Sequence, residues 1–277
     1  MKLLVTNDDG IGSAFLHELI FALKAAGHQL YVVAPATEQS WSGASKTRNR
    51  PVKSSVVDRG FGCPTWTVDG TPSDCVNIAI AHLLPEPVAG VISGINLGFN
   101  CSLGFILASG TVAGAWEGAL HGLPAMAVSQ DIAETVYAHL KEQGGAPDAA
   151  LLATLKTSAA HAARMADAAL LATLKTSAAH AARMAPELFA VTPVDSFTVH
   201  NVNFPYPCLP NTAIQRTVPA HVHVPGLFSP QADDGSHRLL WGKIEDVSPP
   251  TPLTDVRCLA QGFISHTVLD YRRLGHA

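Results

Sequence analysis

Residues 2–11, KLLVTNDDGI, decide how the rest of the chain is read. Leu3, Leu4 and Val5 form an apolar run of strand length, and Asn7, Asp8, Asp9 and Gly10 are turn formers that end it. Two adjacent carboxylates repel, so either one keeps its proton or a cation neutralises both. Taken alone, the letters fit a solvated Asx turn as well as a site.

Working outward, strand and helix signals alternate. Leu16, Leu19, Ile20 and Leu23 recur at helical spacing, with Gly27 placed to end the helix. LYVVAP (30–35) reads as a strand, 36–50 as a polar loop, and extended pieces end at WTVDG (66–70). Pro72 suits the start of a helix that DCVNIAIAHLL (74–84) continues. VAGVISG (88–94) is a buried strand, GTVAGAWEGALHG (110–122) a helix and PAMAVS (124–129) a strand. Alternation with near-continuously apolar strands predicts an α/β fold, a parallel sheet covered by helices on both faces. Ligands of such sheets bind at the carboxyl ends of the strands, where NDDG, the 36–50 loop and the loop after ISG all emerge.

The second half carries a duplication: DAALLATLKTSAAHAARMA at 148–166 recurs letter for letter at 167–185. Two Ala/Leu-rich copies without turns of their own do not make a solenoid. Nineteen residues rotate a continuous helix by about 1900°, so the copies fall roughly 100° out of phase. One copy is expected to keep the native packing while the other extends, kinks or loops out, with His161 and His180 as exposed bystanders. After Pro186 the chain is expected to turn β-rich, through FTVHNVNFPYP, IQRTVPAHVHV, SHRLLW and GFISHTVLDY. The expected organisation is a core over 1–205 and a C-terminal extension over 206–277 that pairs with another subunit.

Composition narrows the function classes. Hydrophobic residues make up 47% and charged residues 14%, which fits a compact fold with much buried surface. A net charge of −4 argues against a broad nucleic-acid footprint and a stable nucleic-acid complex. Lys46, Arg48, Arg50 and Lys53 are a local basic cluster, read as a solvated loop or as a contact for an anionic small molecule. Five scattered cysteines without a CxxC pair fit reduced thiols better than disulfides or zinc. The N-terminal run is too short for a secretory signal and no apolar run reaches membrane length, so a cytoplasmic protein without a membrane partner is expected.

Four stretches converge on one sheet edge: NDDG (7–10), APATEQSWSGASKT (34–47), SGINLGFN (93–100) and ASGTVAGAWEG (108–118). They supply two carboxylates, a Ser hydroxyl and an Asn carbonyl, hard oxygen donors suited to Mg²⁺, Mn²⁺ or Ca²⁺. Gly94, Gly98 and Gly110 allow close backbone approach, and the helix opening at Ser109-Gly110-Thr111 offers N–H groups to a phosphate. Metal and phosphate cradle together point to hydrolysis of a phosphate ester.

These pieces, in this order, resemble the SurE family (survival protein E), densely over residues 1–130, with GTPSDCV (70–76), again at HNVNFP (200–205) and more loosely near 254–270. The resemblance implies a Rossmann-like three-layer α/β fold and a metal-dependent 5′/3′-nucleotidase. It further implies a nucleoside monophosphate substrate, one divalent ion per subunit, and a dimer or tetramer with exchanged C-terminal parts. It assigns Asp8, Asp9, Ser40 and Asn96 to the metal, with Ser42 as the competing alignment for Ser40. Asp8, Asp9 and Asn96 become catalytic residues, and Gly43, Asn100, Ser109, Gly110 and Thr111 line the phosphate. Two stretches depart from the family pattern. Ala14-Phe15 replaces a Pro-Gly pair, and CSLGFILASGT (101–111) puts Ala108 where a Tyr is usual and has one residue more.

A receiver-type signalling domain also places an acidic pair after its first strand. It requires an Asp at the end of the central strand, where this chain has Asn96. A catalytically silent nucleotide-binding protein is the other alternative. Trp116 and Glu117 are read as packing and surface residues, and no histidine is assigned to a metal.

Overall fold

The computed structural model describes residues 1–132, 161–223, 228–232, 234–237 and 245–273, apart from the side chains of 161–168. The described strands are β1 (Lys2–Thr6), β2 (Gln29–Pro35), β3 (Ser54–Val56), β4 (Thr65–Val68), β5 (Gly90–Leu97), β6 (Ala125–Gln130), β7 (Thr198–Phe204), β8 (Ile214–Thr217), β9 (Val222–His223), β10 (Glu245–Asp246) and β11 (Ile264–Asp270). The helices are α1 (Ala14–Ala25), α2 (Pro72–Ile78), α3 (Leu103–Ala108), α4 (Gly110–Leu120), α5 (His161–Val191) and α6 (Asp255–Ala260).

Nine strands form one sheet in the order β3-β4-β2-β1-β5-β6-β7-β11-β8. β4, β2, β1, β5, β6 and β7 are parallel to their neighbours, while β3 and β11 run antiparallel to β4 and β7 at the flanks. The parallel strands carry side chains inward on both faces. Leu3, Val5, Val32 and Ile92 face one core with Phe15, Leu16, Leu19 and Leu174, whereas Leu4, Tyr31, Val33 and Val91 face the other with Cys75, Val112 and Ala115. α1 and α5 therefore cover one side and α2 and α4 the other, the three-layer arrangement expected from the sequence. β1 pairs with β2 on one side and β5 on the other, so the winding reverses beside β1 and opens a crevice between the ends of β1 and β5.

The second copy of the duplication supplies native packing. Leu170, Leu174, Ala178, Ala181, Ala182 and Ala185 are buried along one face of α5, against α1 and the sheet. Residues 148–160 of the first copy lie outside the described residues, as do the side chains of its last turn. Two expectations are corrected here. His180 is buried at 2% exposure: its Nε2 meets the Leu209 carbonyl at 3.0 Å and its Nδ1 meets Arg183 Nη2 at 2.6 Å, because it shares the inward face with Ser177 and Met184. The helix also continues through Pro186 to Val191. Phe189, one turn further on, fills the space that a side chain at Gly90 would occupy, and its burial offsets the hydrogen bond that proline removes.

The 206–277 stretch contributes β11 and β8 to the main sheet, the separate β9–β10 pair, and α6, whose Thr254 hydroxyl caps it from the Arg257 amide. Residues 238–241 of SHRLLW lie outside the described residues. All five cysteines are free thiols. Among the described residues no helix is long and apolar enough to cross a membrane.

Candidate active site

The crevice is lined by the turn after β1. Asn7 Nδ2 donates to the Gly10 carbonyl at 2.9 Å, which closes the turn and sets Asp8 and Asp9 beyond the strand end. Asp8 is 3% exposed, and the Thr111 hydroxyl donates to its Oδ1. Asp9 Oδ2 accepts the Leu97 N–H at 3.0 Å, so the second carboxylate is tied to the end of β5. Burial pushes Asp8 up to about 6 despite the Thr111 hydroxyl and the backbone donors, and Glu38 adds negative potential. Asp9 is pushed well above the carboxylate range by burial and then by the Asp8 charge, with Glu38 again adding. Among the described residues, the ion pairs of Lys, Arg and His go to Glu86, Glu117, Asp69, Asp246 and Asp270, never to Asp8 or Asp9.

The opening of α4 is built around Asp8. Ser109 is its N-cap, its Oγ accepting the Val112 amide at 3.0 Å. A β-carbon on Gly110 would lie 2.8 Å from Asp8 Cβ and 3.0 Å from both Asp8 Oδ2 and Ser42 Oγ. Glycine is thus what lets α4, Asp8 and the 36–50 loop meet. The hydroxyls of Ser109 and Thr111, expected at a phosphate, are engaged on the helix and on Asp8.

The 36–50 loop is anchored by backbone bonds. Ile11 N donates to Pro35 O at 2.9 Å, Gln39 N to Asp8 O at 2.7 Å, and Gly43 N to Ala108 O at 2.9 Å. Gly43 has φ +54 and a β-carbon there would sit 3.1 Å from the Leu107 carbonyl, so this contact with α3 also needs glycine. Ser40 is exposed, its Oγ donating to Glu38 Oε1 at 2.7 Å. Ser42 Oγ is buried beside Asp8 without a hydrogen-bond partner. The geometry therefore places Ser42 Oγ and Asp8 Oδ2 around the same point at Gly110 without a hydrogen bond between them, and leaves Ser40 on the glutamate that both aspartates feel.

From β5, the pairing with β6 shifts between Ser93 and Asn96, which moves Asn96 opposite Ser129. Asn96 Nδ2 donates to Gly98 O at 2.7 Å, so its amide oxygen is the end left for an ion. Asn100 is buried: its Nδ2 donates to Ser129 Oγ at 2.8 Å, its N–H to Asn203 Oδ1 at 2.7 Å, and its carbonyl accepts from Asn201 Nδ2 at 2.9 Å. The HNVNFP stretch thus acts as a clamp. Two asparagines at alternate positions of β7 were the readable sign of it.

Sequence reasoning missed two anchors. Asp74 takes the Thr47 N–H at 3.1 and 3.2 Å with its two oxygens and closes a capping box with Thr71, while the Thr71 hydroxyl donates to Ser45 O at 2.7 Å. The T-x-x-D spacing within GTPSDCV was its signal. Glu117, expected on the surface, is 3% exposed and pairs with Lys46 at 2.8 Å, with Asn77 Nδ2 donating to its other oxygen. α4 packs on α2 along that face, so Lys46 is drawn onto a buried acid, while Lys46, Arg48, Arg50 and Lys53 all stay exposed, as a solvated loop would.

Fold and crevice define a doubly wound α/β protein whose switch point gathers two unneutralised carboxylates with hydroxyl and amide oxygens. The family model described as Survival protein SurE matches residues 3–223, and the chain belongs to the SurE family. The protein "5'-nucleotidase SurE" of Desulforudis audaxviator (strain MP104C) is 45% identical over 130 residues, 47% of this chain and 50% of that one. Its namesake in Desulfovibrio desulfuricans (strain ATCC 27774 / DSM 6949 / MB) is 48% identical over 134 residues, again covering 47% and 50%. The chain spans about half the length of the curated relatives it matches. The crystal structure of the SurE protein from Aquifex aeolicus superposes with a TM-score of 0.68 at 25% identity, covering 98% of this chain and 93% of that chain.

Proposed function

We propose that this chain is a divalent-metal-dependent phosphomonoesterase that hydrolyses nucleoside 5′- or 3′-monophosphates to nucleoside and phosphate. The observation that carries the reading is the Asp8–Asp9 pair, held in a parallel-sheet crevice with no cationic side chain against it among the described residues. The name shared by the matched relatives, 5'-nucleotidase, supports it.

The donor set fits a hard cation. Asp8, Asp9 and the amide oxygen of Asn96 would hold it, with a hydroxyl from Ser40 or Ser42. The partnerless buried Ser42 Oγ is the atom whose environment best explains such a role. Mg²⁺ or Mn²⁺ suits these oxygens best and Ca²⁺ is compatible. When bound, one such ion per subunit supplies Lewis-acid charge to the phosphoryl group and acidifies a water. The chain's own residues do the rest. Thr111 and the Leu97 amide fix one oxygen of each aspartate, the carboxylates orient the attacking water and take its proton, and Gly43, Asn100, Ser109, Gly110 and Thr111 line the phosphate position.

Purified protein with Mn²⁺ or Mg²⁺ should release phosphate from a nucleoside monophosphate, and Asp8→Asn should lose that activity. Equal activity in wild type and variant, or inertness with every divalent ion tried, defeats the reading in favour of a silent nucleotide-binding protein. Assembly as a homodimer or homotetramer through residues 206–277 is part of the same proposal. Light scattering that finds a monomer would remove that part.

A further inference from the structure

The two loops that carry the acidic site also carry aromatic rings that the phosphate chemistry leaves unused. Trp41 stands between Ser40 and Ser42 and is 41% exposed. Its backbone is in the left-handed region, φ +61, a conformation that bulky residues rarely adopt and that costs free energy to hold. Its ring meets Phe105 edge-on, with centroids 5.6 Å apart and planes at 61°. Phe105 is 8% exposed and also meets Phe99 edge-on at 6.0 Å. Phe99 directly precedes Asn100, and Phe105 lies on α3, one turn before the Ser109 cap.

The Gly43 N–H to Ala108 O bond fixes the Trp41 loop against α3, and Ser42 Oγ reaches the same point beside Gly110 as Asp8 Oδ2. The aromatic group thus sits at the rim of the carboxylate crevice, with its buried member beneath its exposed one. This places a phosphate-binding floor and a π-surface a few residues apart, the two chemistries that a nucleotide presents together.

We propose that Trp41, supported by Phe105 and Phe99, is a stacking platform for the base of the substrate, an inference that rests on the nucleotidase reading above. Stacking on an indole tolerates any base, so the platform selects nucleotides over other phosphate monoesters without choosing strongly among bases.

The test uses the full-length protein with Mn²⁺ and compares a purine and a pyrimidine nucleoside 5′-monophosphate with ribose 5-phosphate. Trp41→Ala should lower the kcat/KM preference for nucleotide over ribose 5-phosphate roughly tenfold, through KM, and Trp41→Phe should restore most of it. An unchanged preference, including equal losses on all three substrates, overturns the platform. So does a change of oligomeric state with no change in preference. If wild type hydrolyses none of the three, the nucleotidase reading falls while the platform is still judged, from calorimetric affinities for the same ligands. A preference for nucleotide that disappears in Trp41→Ala upholds it, and no preference in wild type overturns it.

Discussion

At the scale of single residues, the site depends on atoms that are absent as much as on those present. Replacing Gly110 with Ala puts a methyl group 2.8 Å from Asp8 Cβ and 3.0 Å from Ser42 Oγ, so helix, carboxylate and loop cannot all keep their places. Gly110→Ala should lower kcat/KM on a nucleoside monophosphate about 100-fold, at a stability cost of about 1–3 kcal/mol. Steady-state kinetics beside thermal melts will separate the two effects, and a variant with full activity would show that the contact is dispensable. The neighbouring carboxylates make the opposite point. In metal-free protein, Asp9→Asn removes a buried charge that burial and Asp8 both oppose, so the variant should melt higher than wild type by a few degrees while losing activity. Melts in EDTA and in Mn²⁺ test this. A lower melting point for the variant in EDTA would mean that the pair is no burden on the fold. Of these features the acids were legible in NDDG. The partner of Asp8 was not, because Thr111 lies 103 positions away and reaches it only once α4 packs on the sheet.

At the scale of elements, β7 and β11 pair antiparallel and bring His200 Nδ1 to 3.0 Å from His266 Nε2. Thr192, just past α5, meets the other nitrogen of His200 at 2.6 Å, and Arg216 on β8 adds positive charge to both rings. Burial lowers His200 to about 4. Burial, the His200 ring and Arg216 lower His266 to about 3. An unfolded imidazole titrates near about 6.5, so below that pH the unfolded chain takes up protons that the native pair refuses. Stability is therefore full above about pH 6.5 and declines as pH falls toward 4. His266→Gln should lose less melting temperature than wild type between about pH 7 and about pH 5, and equal losses would clear the pair of any part in acid sensitivity. α5 shows how packing overrides local signals. Pro186 read as a boundary, yet the buried side chain of Phe189 keeps the helix running five residues beyond it.

At the scale of the whole molecule, excising either copy of the 19-residue duplication yields the same chain, since the copies are identical. The side chains of 169–185 provide the core contacts of α5, and those letters survive the excision. The shortened protein should therefore melt within roughly 2–4 °C of the parent and keep its activity, as calorimetry and the phosphate-release assay would show. A collapse in stability would mean that residues 148–166 carry structure of their own.

The sequence by itself determined the α/β alternation, the double covering of a mostly parallel sheet, and the chemistry available at its edge, because apolar periodicity, turn residues and donor types are local properties. It also carried the family, through motifs dense over 1–130. Only the tertiary structure decided that Glu117 is a buried anchor for Lys46, that His180 faces the core, that Asn201 and Asn203 grip Asn100, and that Ser42 Oγ is buried at Gly110, where Asp8 also packs, while Ser40 turns outward to Glu38. Each of these joins residues far apart along the chain or picks one face of an element. That choice is made by which surfaces are left to bury when the layers close, and no spacing along the chain records it.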